Sequence, residues 1–194
     1  MRYFRVIFMV FSLIFAIFSE TKAEETQSRV LFHGHREIYQ GWSMSAWSIF
    51  PNISQDRNNL IVAGPSFYQE NWYLEIMAGK VIKEQGQSSF LYNIRGFYKS
   101  RLFHAWAEIE YFPEDQNLYW FAQLDYPVSV QSRFLGKIGI ETENTHFLQN
   151  GESSLGLGPH LILPVADNLA IITAYQRRHG DEKDFVRFYT VIEF

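Results

Sequence analysis

Apolar and polar residues alternate with a period of two along most of this chain after residue 40, most cleanly in its middle. In residues 71–82 one face carries Trp72, Leu74, Ile76 and Ala78, and the other Asn71, Tyr73, Glu75 and Met77. In 101–112, Phe103, Ala105, Ala107, Ile109 and Tyr111 oppose His104, Trp106, Glu108 and Glu110; in 117–126, Leu118, Trp120, Ala122 and Leu124 oppose Tyr119, Phe121, Gln123 and Asp125. Successive side chains of a strand point to opposite faces, so each segment is a strand with one apolar face and one mixed face bearing a few ionisable groups. Turn residues divide the chain into ten such segments: 42–50, 59–68, 71–82, 88–98, 101–112, 117–126, 132–142, 153–163, 168–177 and 184–194.

The first 23 residues stand apart. Arg2 and Arg5 precede an apolar run over residues 6–18, and Thr21-Lys22-Ala23 follows it with a small residue on each side of a cut near Ala23. The run is shorter than the roughly 20 residues a spanning helix needs, so residues 1–23 are read as a cleavable secretory signal. Losing them removes three cations and one anion and takes the formal charge from −4 to −6. No basic face then argues for nucleic acid. With no cysteine there is neither a disulfide nor a thiolate zinc site. About 170 residues remain, one domain's worth. None of their apolar runs is long enough for a transmembrane helix, so any membrane insertion must use strands closed into a barrel.

In the last segment Val186, Phe188, Thr190, Ile192 and Phe194 share one face, and Arg187, Tyr189, Val191 and Glu193 the other. This strand, ending on Phe194, resembles the C-terminal strand of bacterial outer-membrane β-barrels. The resemblance implies an all-β, closed, antiparallel up-and-down transmembrane barrel of about ten strands over residues 41–194, in the outer membrane of a Gram-negative bacterium. It also implies contact with outer-membrane lipid and lipopolysaccharide, and recognition of the Phe194 strand by the outer-membrane assembly machinery. With Phe194 periplasmic, turns at 69–70, 99–100, 127–131 and 164–167 alternate with external connections at 51–58, 143–152 and 178–184; 84–86 and 113–116 are short external loops. Residues 24–40 lack a clear period and are read as a periplasmic lead-in, with a short amphipathic helix or an extra strand as alternatives. A soluble lipocalin-like barrel would alternate in the same way with its apolar face turned inward. The terminal Phe, the unbroken apolar faces and the aromatics near strand ends (Trp72, Tyr98, Tyr111, Tyr126, Tyr175) favour the membrane.

Turn lengths align the polar faces. A three-residue loop at 84–86, closed by Gly86, sets Glu75 opposite Arg95. A two-residue Lys99-Ser100 turn sets Arg95 opposite His104. A four-residue loop at 113–116 pairs Phe112 with Asn117 and so His104 with Asp125, and a turn centred on 128–130 brings Asp125 to Arg133. The expected lumenal row is Glu75, Arg95, His104, Asp125 and Arg133, with Glu108, Phe121 and Lys137 on a second level and His160, Arg187 and Glu193 from later strands. A one-residue slip would send a charge to the apolar face, whereas a two-residue slip would pass unnoticed.

Such a row fills a narrow lumen with paired charges. His104 oriented by Asp125 is also a candidate general base, but no serine is placed beside it; Ser89, Ser100 and Ser132 take the apolar parity or lie in turns. His33-Gly34-His35 offers two metal ligands and no third. Gly156 to His160 lacks the Lys-Ser/Thr of a phosphate loop. Arg177, Arg178 and Lys183 could touch lipopolysaccharide phosphates from a solvated loop. The sequence therefore predicts a monomeric, cofactor-free and non-enzymatic barrel with a plugged polar lumen, a surface role and at most a narrow, porin-like ion path. The alternatives are an enzyme acting on outer-membrane lipid and a soluble periplasmic lipid-binding barrel.

Overall fold

A computed structural model describes residues 25–53, 58–83, 86, 88–130, 133–179 and 183–194. The expected leader, Ser132 and most of the 84–87 turn lie outside them. Eleven strands form one closed barrel: β1 (Glu25–Tyr39), β2 (Trp42–Phe50), β3 (Asn59–Gln69), β4 (Trp72–Ile82), β5 (Ser88–Lys99), β6 (His104–Phe112), β7 (Asn117–Val130), β8 (Arg133–Phe147), β9 (Ser153–Ala166), β10 (Leu169–His179) and β11 (Phe185–Glu193). Neighbours in sequence pair antiparallel, and β1 closes the ring by pairing parallel with β11, Gln27 beside Arg187 and His33 beside Glu193.

The count is thus eleven, not ten. The segment read as a lead-in is β1, tied to β2 through a two-residue Gln40–Gly41 turn in which both residues have positive φ, 40° and 86°, as a tight hairpin demands. β1 lacks apolar alternation because its outward face is itself mixed: Ser28, Gly34 and Arg36 sit among Val30, Phe32 and Ile38. An odd count places the start of β1 and the end of β11 at opposite ends of the barrel. The turn end carries Gln40–Gly41, the connections at 70–71, 100–103, 131–132 and 167–168, and Phe194. The loop end carries the connections at 51–58, 83–87, 113–116, 148–152 and 180–184.

Two turns differ from expectation. Between β5 and β6 the connection is four residues: the Ser100 hydroxyl accepts from the N–H groups of Leu102 and Phe103 at 3.2 and 3.0 Å and donates to the Phe103 carbonyl at 2.9 Å. A serine that bonds its own backbone in this way builds a wider loop than the Lys99-Ser100 turn. Arg95 consequently faces Glu108, and Lys99 faces His104. Between β7 and β8 the ladder runs on past Pro127, with a register shift near Val128 and with Gly136 at φ 155°. The bulge absorbs Leu135 opposite the Val128–Ser129 step, just past Pro127. Asp125 therefore meets Gly139 instead of Arg133, and Phe121 meets Glu143 instead of Lys137.

The wall is sorted by polarity. Ile76, Ile94, Ile109 and Trp120 are consecutive ladder neighbours on the outer face, the three isoleucines 48–54% exposed. Tyr39, Trp42, Trp72, Tyr98 and Tyr126 ring the outside of the turn end, and Tyr92, Tyr111 and Tyr175 lie on the outside towards the loop end. The inner face holds Glu75, Arg95 and Arg187, each with no solvent exposure. Close approach needs glycine in places: a Cβ at Gly79 would lie 1.8 Å from the Ile61 carbonyl oxygen.

Candidate functional site

The lumen is crossed by side chains rather than left open. On the β1–β6 side, Glu75 of β4 accepts from Trp47 Nε1 of β2 at 2.8 Å and from the Tyr68 hydroxyl of β3 at 2.6 Å, and meets His33 Nε2 of β1 at 3.2 Å. His33, the first histidine of the metal reading, stacks on Trp47 within this knot with ring centroids 4.1 Å apart, while the exposed His35 stacks on Tyr68 at 4.7 Å. Ser45 donates to Ser66 at 2.8 Å beside it. An aliphatic patch of Ile49, Val62, Met77, Val81 and Leu91 fills the lumen between this knot and the loop end.

Arg95 lies opposite Glu75 in register, yet its guanidinium turns the other way. Its Nε is 2.6 Å from Glu108 Oε2 and its Nη2 3.6 Å from Glu110 Oε1. None of its N–H groups is aligned for a hydrogen bond, so these contacts are ion pairs without that geometry. The Trp47 ring, 4.4 Å from the guanidinium carbon, and the Trp106 ring at 5.7 Å supply a further attraction. Asn93 donates to Glu110 at 2.8 Å.

On the β7–β11 side, charges outnumber neutral partners. Arg187 of β11 ion-pairs with Glu143 of β8, lies 3.8 Å from Glu141, donates to Gln27 at 3.0 Å and to the Tyr189 hydroxyl at 2.7 Å. Arg29 and Arg178 reach Glu143 at 3.4 and 3.6 Å. Glu141 accepts from Tyr189 at 2.7 Å and from Gln176 at 2.6 Å. Arg178, expected in a solvated loop, thus turns into the barrel mouth, its guanidinium carbon 4.8 Å from the Phe185 ring centroid.

His104 and Asp125 face each other across β6 and β7, but the histidine bound to Asp125 is His160. His160 Nε2 lies 2.5 Å from Asp125 Oδ1, with Gln123 Nε2 3.1 Å from both atoms, Lys137 Nζ 3.9 Å from Asp125 Oδ2, and Glu141 Oε2 3.8 Å from His160 Nδ1. Gly139 makes the room: a Cβ there would stand 2.8 Å from the His160 ring. Among the described residues no serine bonds His104 or His160. Ser89 points into the lumen instead of outward and lies near the loop end.

The expected lumenal residues therefore separate into distinct groups. Glu75 belongs to the knot of Trp47, Tyr68 and His33, Arg95 and Glu108 to the tryptophan clamp, and Asp125 and Lys137 to the His160 cluster. Arg133 lies at the turn-end start of β8, five residues beyond the position its pairing with Asp125 required.

At the loop-end rim the Asp184 carboxylate accepts from the Tyr175 hydroxyl at 2.7 Å and from the Arg178 N–H at 2.9 Å; the Tyr175 bond holds its carboxyl below the usual aspartate range. At the same end, on the outer face, His146 Nδ1 of β8 lies 2.6 Å from Ser153 Oγ of β9. Hydrophobic pattern does not reveal this pair, because it places His146 in a connection at 143–152, where no face is defined.

No protein-family model, curated protein or solved structure matches this chain.

Proposed function

We propose that this chain is a membrane-spanning barrel of a Gram-negative outer membrane that acts through its outer surface and rims, not by conducting solute. The observation that carries this reading is the distribution of polarity: isoleucines half exposed on the outer wall, and Glu75, Arg95, Glu141 and Arg187 at 0–1% exposure inside it. A contiguous apolar outer surface of this extent has no partner in water and a natural one in lipid. A soluble lipid carrier would need the reverse arrangement. The aromatic residues at both ends, the short turns at the end carrying Phe194, and the leader-like residues 1–23 support the same reading. Phe194 itself is held to the closing strand: its N–H donates to the His33 carbonyl at 2.9 Å and its ring stacks on Phe32 at 6.4 Å. This leaves the terminal strand an ordered surface for assembly factors. Fully buried ion pairs crossing the lumen argue against a wide pore.

Envelope fractionation, followed by gel migration of unheated and boiled protein in detergent, tests the proposal. The expected result is an outer-membrane protein whose migration changes on boiling and which gives no stable conductance step in planar bilayers. A protein that stays in solution without detergent would overturn the membrane assignment, and steady conductance would overturn the closed lumen.

A further inference from the structure

The outer face of the barrel carries one pairing that the packing of an apolar wall does not require. His146, near the end of β8, and Ser153, the first residue of β9, are direct ladder partners, with Nδ1 and Oγ 2.6 Å apart. Both have the parity of the outward residues Leu118 and Leu155. The loop joining them is tightly fixed. Gly151, at φ 74°, donates its N–H to the Phe147 carbonyl at 2.8 Å, and the Phe147 N–H donates to the Glu152 carbonyl at 2.9 Å. Asn150 bonds Glu152 through both its carbonyl oxygen and its amide nitrogen, at 3.0 and 2.8 Å. Serine and histidine are thus held on two paired strands joined by a short, cross-braced turn, the rigid support a reactive pair needs.

We propose that Ser153 and His146 form a nucleophile–base pair that cleaves carboxylic esters of membrane lipids at the loop-end rim. A serine hydroxyl within hydrogen-bond reach of an imidazole nitrogen is the arrangement that activates a serine. Its position suits a lipid ester. Continuing outward along the ladder, His146 is followed by Leu118, Tyr111 and Tyr92, an apolar and then aromatic surface. On the other side Leu155 and Leu157 follow Ser153 along β9, 40% and 55% exposed. Amphipathic aromatic side chains settle where headgroups meet hydrocarbon, which is also the depth of acyl ester carbonyls. Asn144, two residues before His146 on the same face and opposite Leu155, has a carboxamide oxygen with no hydrogen-bond partner. Its amide places a polar group diagonal to Ser153 in an otherwise apolar row.

The chemistry balances with water as the only co-reactant. Ser153 Oγ forms a bond to the ester carbonyl carbon while His146 Nδ1 takes the hydroxyl proton. The tetrahedral adduct collapses by breaking the carbon–oxygen bond to the lipid alcohol, which leaves with that proton from His146. A water molecule then attacks the Ser153 acyl ester with His146 again as base, releasing the fatty acid and restoring the serine. The lumenal histidines His104 and His160 take no part.

The assignment of substrate rests on the membrane reading, and the experiment separates the two. Protein folded in detergent is treated with p-nitrophenyl butyrate and with a fluorophosphonate probe, neither of which needs a bilayer. It is then mixed with phosphatidylethanolamine vesicles or with purified lipopolysaccharide, and released fatty acid is measured by mass spectrometry. Expected are turnover of the small ester, phosphonate attached at Ser153, and fatty acid release from one of the two lipids, which identifies the source. Ser153→Ala should abolish labelling and turnover, His146→Ala should lower turnover by about 10²–10⁴-fold, and His160→Ala should leave it intact. Heat-dependent migration checks that each variant folds. Absence of labelling and of turnover in the folded barrel overturns the dyad whatever the compartment. Ser153-dependent turnover of the small ester by a protein found in solution keeps the dyad and overturns the membrane substrate.

Discussion

Two buried carboxylates of the lumen, Glu75 and Glu143, are satisfied in opposite ways. Glu75, on the β1–β6 side, accepts from the Trp47 indole and the Tyr68 hydroxyl, with the His33 ring beside it and aliphatic side chains beyond. Glu143, on the β7–β11 side, is surrounded by three guanidinium groups, those of Arg29, Arg178 and Arg187. A carboxylate satisfied by neutral hydrogen bonds keeps its charge locally uncompensated but loses little when one donor is removed. A carboxylate inside an ion lattice is compensated, and removing a single cation exposes several charges at once. Around Glu75 the lumen behaves as a packed core with one polar knot; around Glu143 it is a network whose members depend on one another.

The comparison can be broken most forcefully at Arg187. Arg187→Met keeps the length of the side chain but takes the nearest cation from Glu143, leaving Arg29 and Arg178 beside it, and weakens the hold on Glu141, so the barrel should lose about 3–5 kcal/mol, as for a buried ion pair broken on one side. Urea unfolding of the detergent- or lipid-folded barrel checks this; a change near zero would show the lattice to be hydrated. Glu75→Gln should cost less, about 1–3 kcal/mol, because the carboxamide still accepts from one donor but turns its own N–H groups towards the others. A larger loss than at Arg187 would reverse the ranking of the two sites.

The smallest effect lies at the rim. Because the Tyr175 bond lowers the Asp184 carboxyl in the folded barrel, Asp184 contributes stability above its unfolded range, and that contribution is lost as the pH falls through the folded value. Asp184→Asn should therefore lower the unfolding midpoint slightly at neutral pH and match the parent protein well below pH 3.8, the ordinary aspartate value. A difference that persisted in acid would mean that packing, not charge, links Tyr175 to Asp184.

How much of this was legible in the sequence depended on the turns. Glu75 opposite Arg95, and His104 opposite Asp125, follow from hairpins closed by Gly86 and by residues 113–116, where loop length fixes register. The alignment failed where the backbone is organised by something that counting residues does not reveal: the Ser100 hydroxyl bonding its own loop, and the β7–β8 ladder that runs on through a bulge past Pro127 to Val130 and Arg133. Both errors left Glu108 and Lys137 on the inward parity, because the two-residue period makes such slips invisible to hydrophobic pattern, whereas Arg133, beyond the bulge, falls opposite Val130. Side-chain direction was less legible than register. Arg95 and Glu75 are neighbours on paired strands, yet tryptophan faces and two other carboxylates draw the guanidinium away. The partnership of Asp125 with His160 joins strands two apart across Gly139, a relation that pairwise hairpin geometry does not contain. β1 is illegible for a different reason: its outward face mixes Ser28, Gly34 and Arg36 with apolar residues, and its ring-closing neighbour β11 lies nearly the whole chain away.

That distant neighbour also dictates the order in which the wall can be completed. The hairpins from β1–β2 to β10–β11 each join strands adjacent in sequence, so each can form from a short stretch of chain. The parallel seam pairs Glu25 with Phe185 and needs both flanking strands in place, at the entropic cost of closing a very long loop. Until it forms, β1 and β11 present unpaired edges of the kind that recruit other strands. The contact of Arg29 with Glu143 and that of Arg187 with its ladder partner Gln27 both bridge that seam. The ionic network around Glu143 is therefore a clasp, which locks only after the ring has closed.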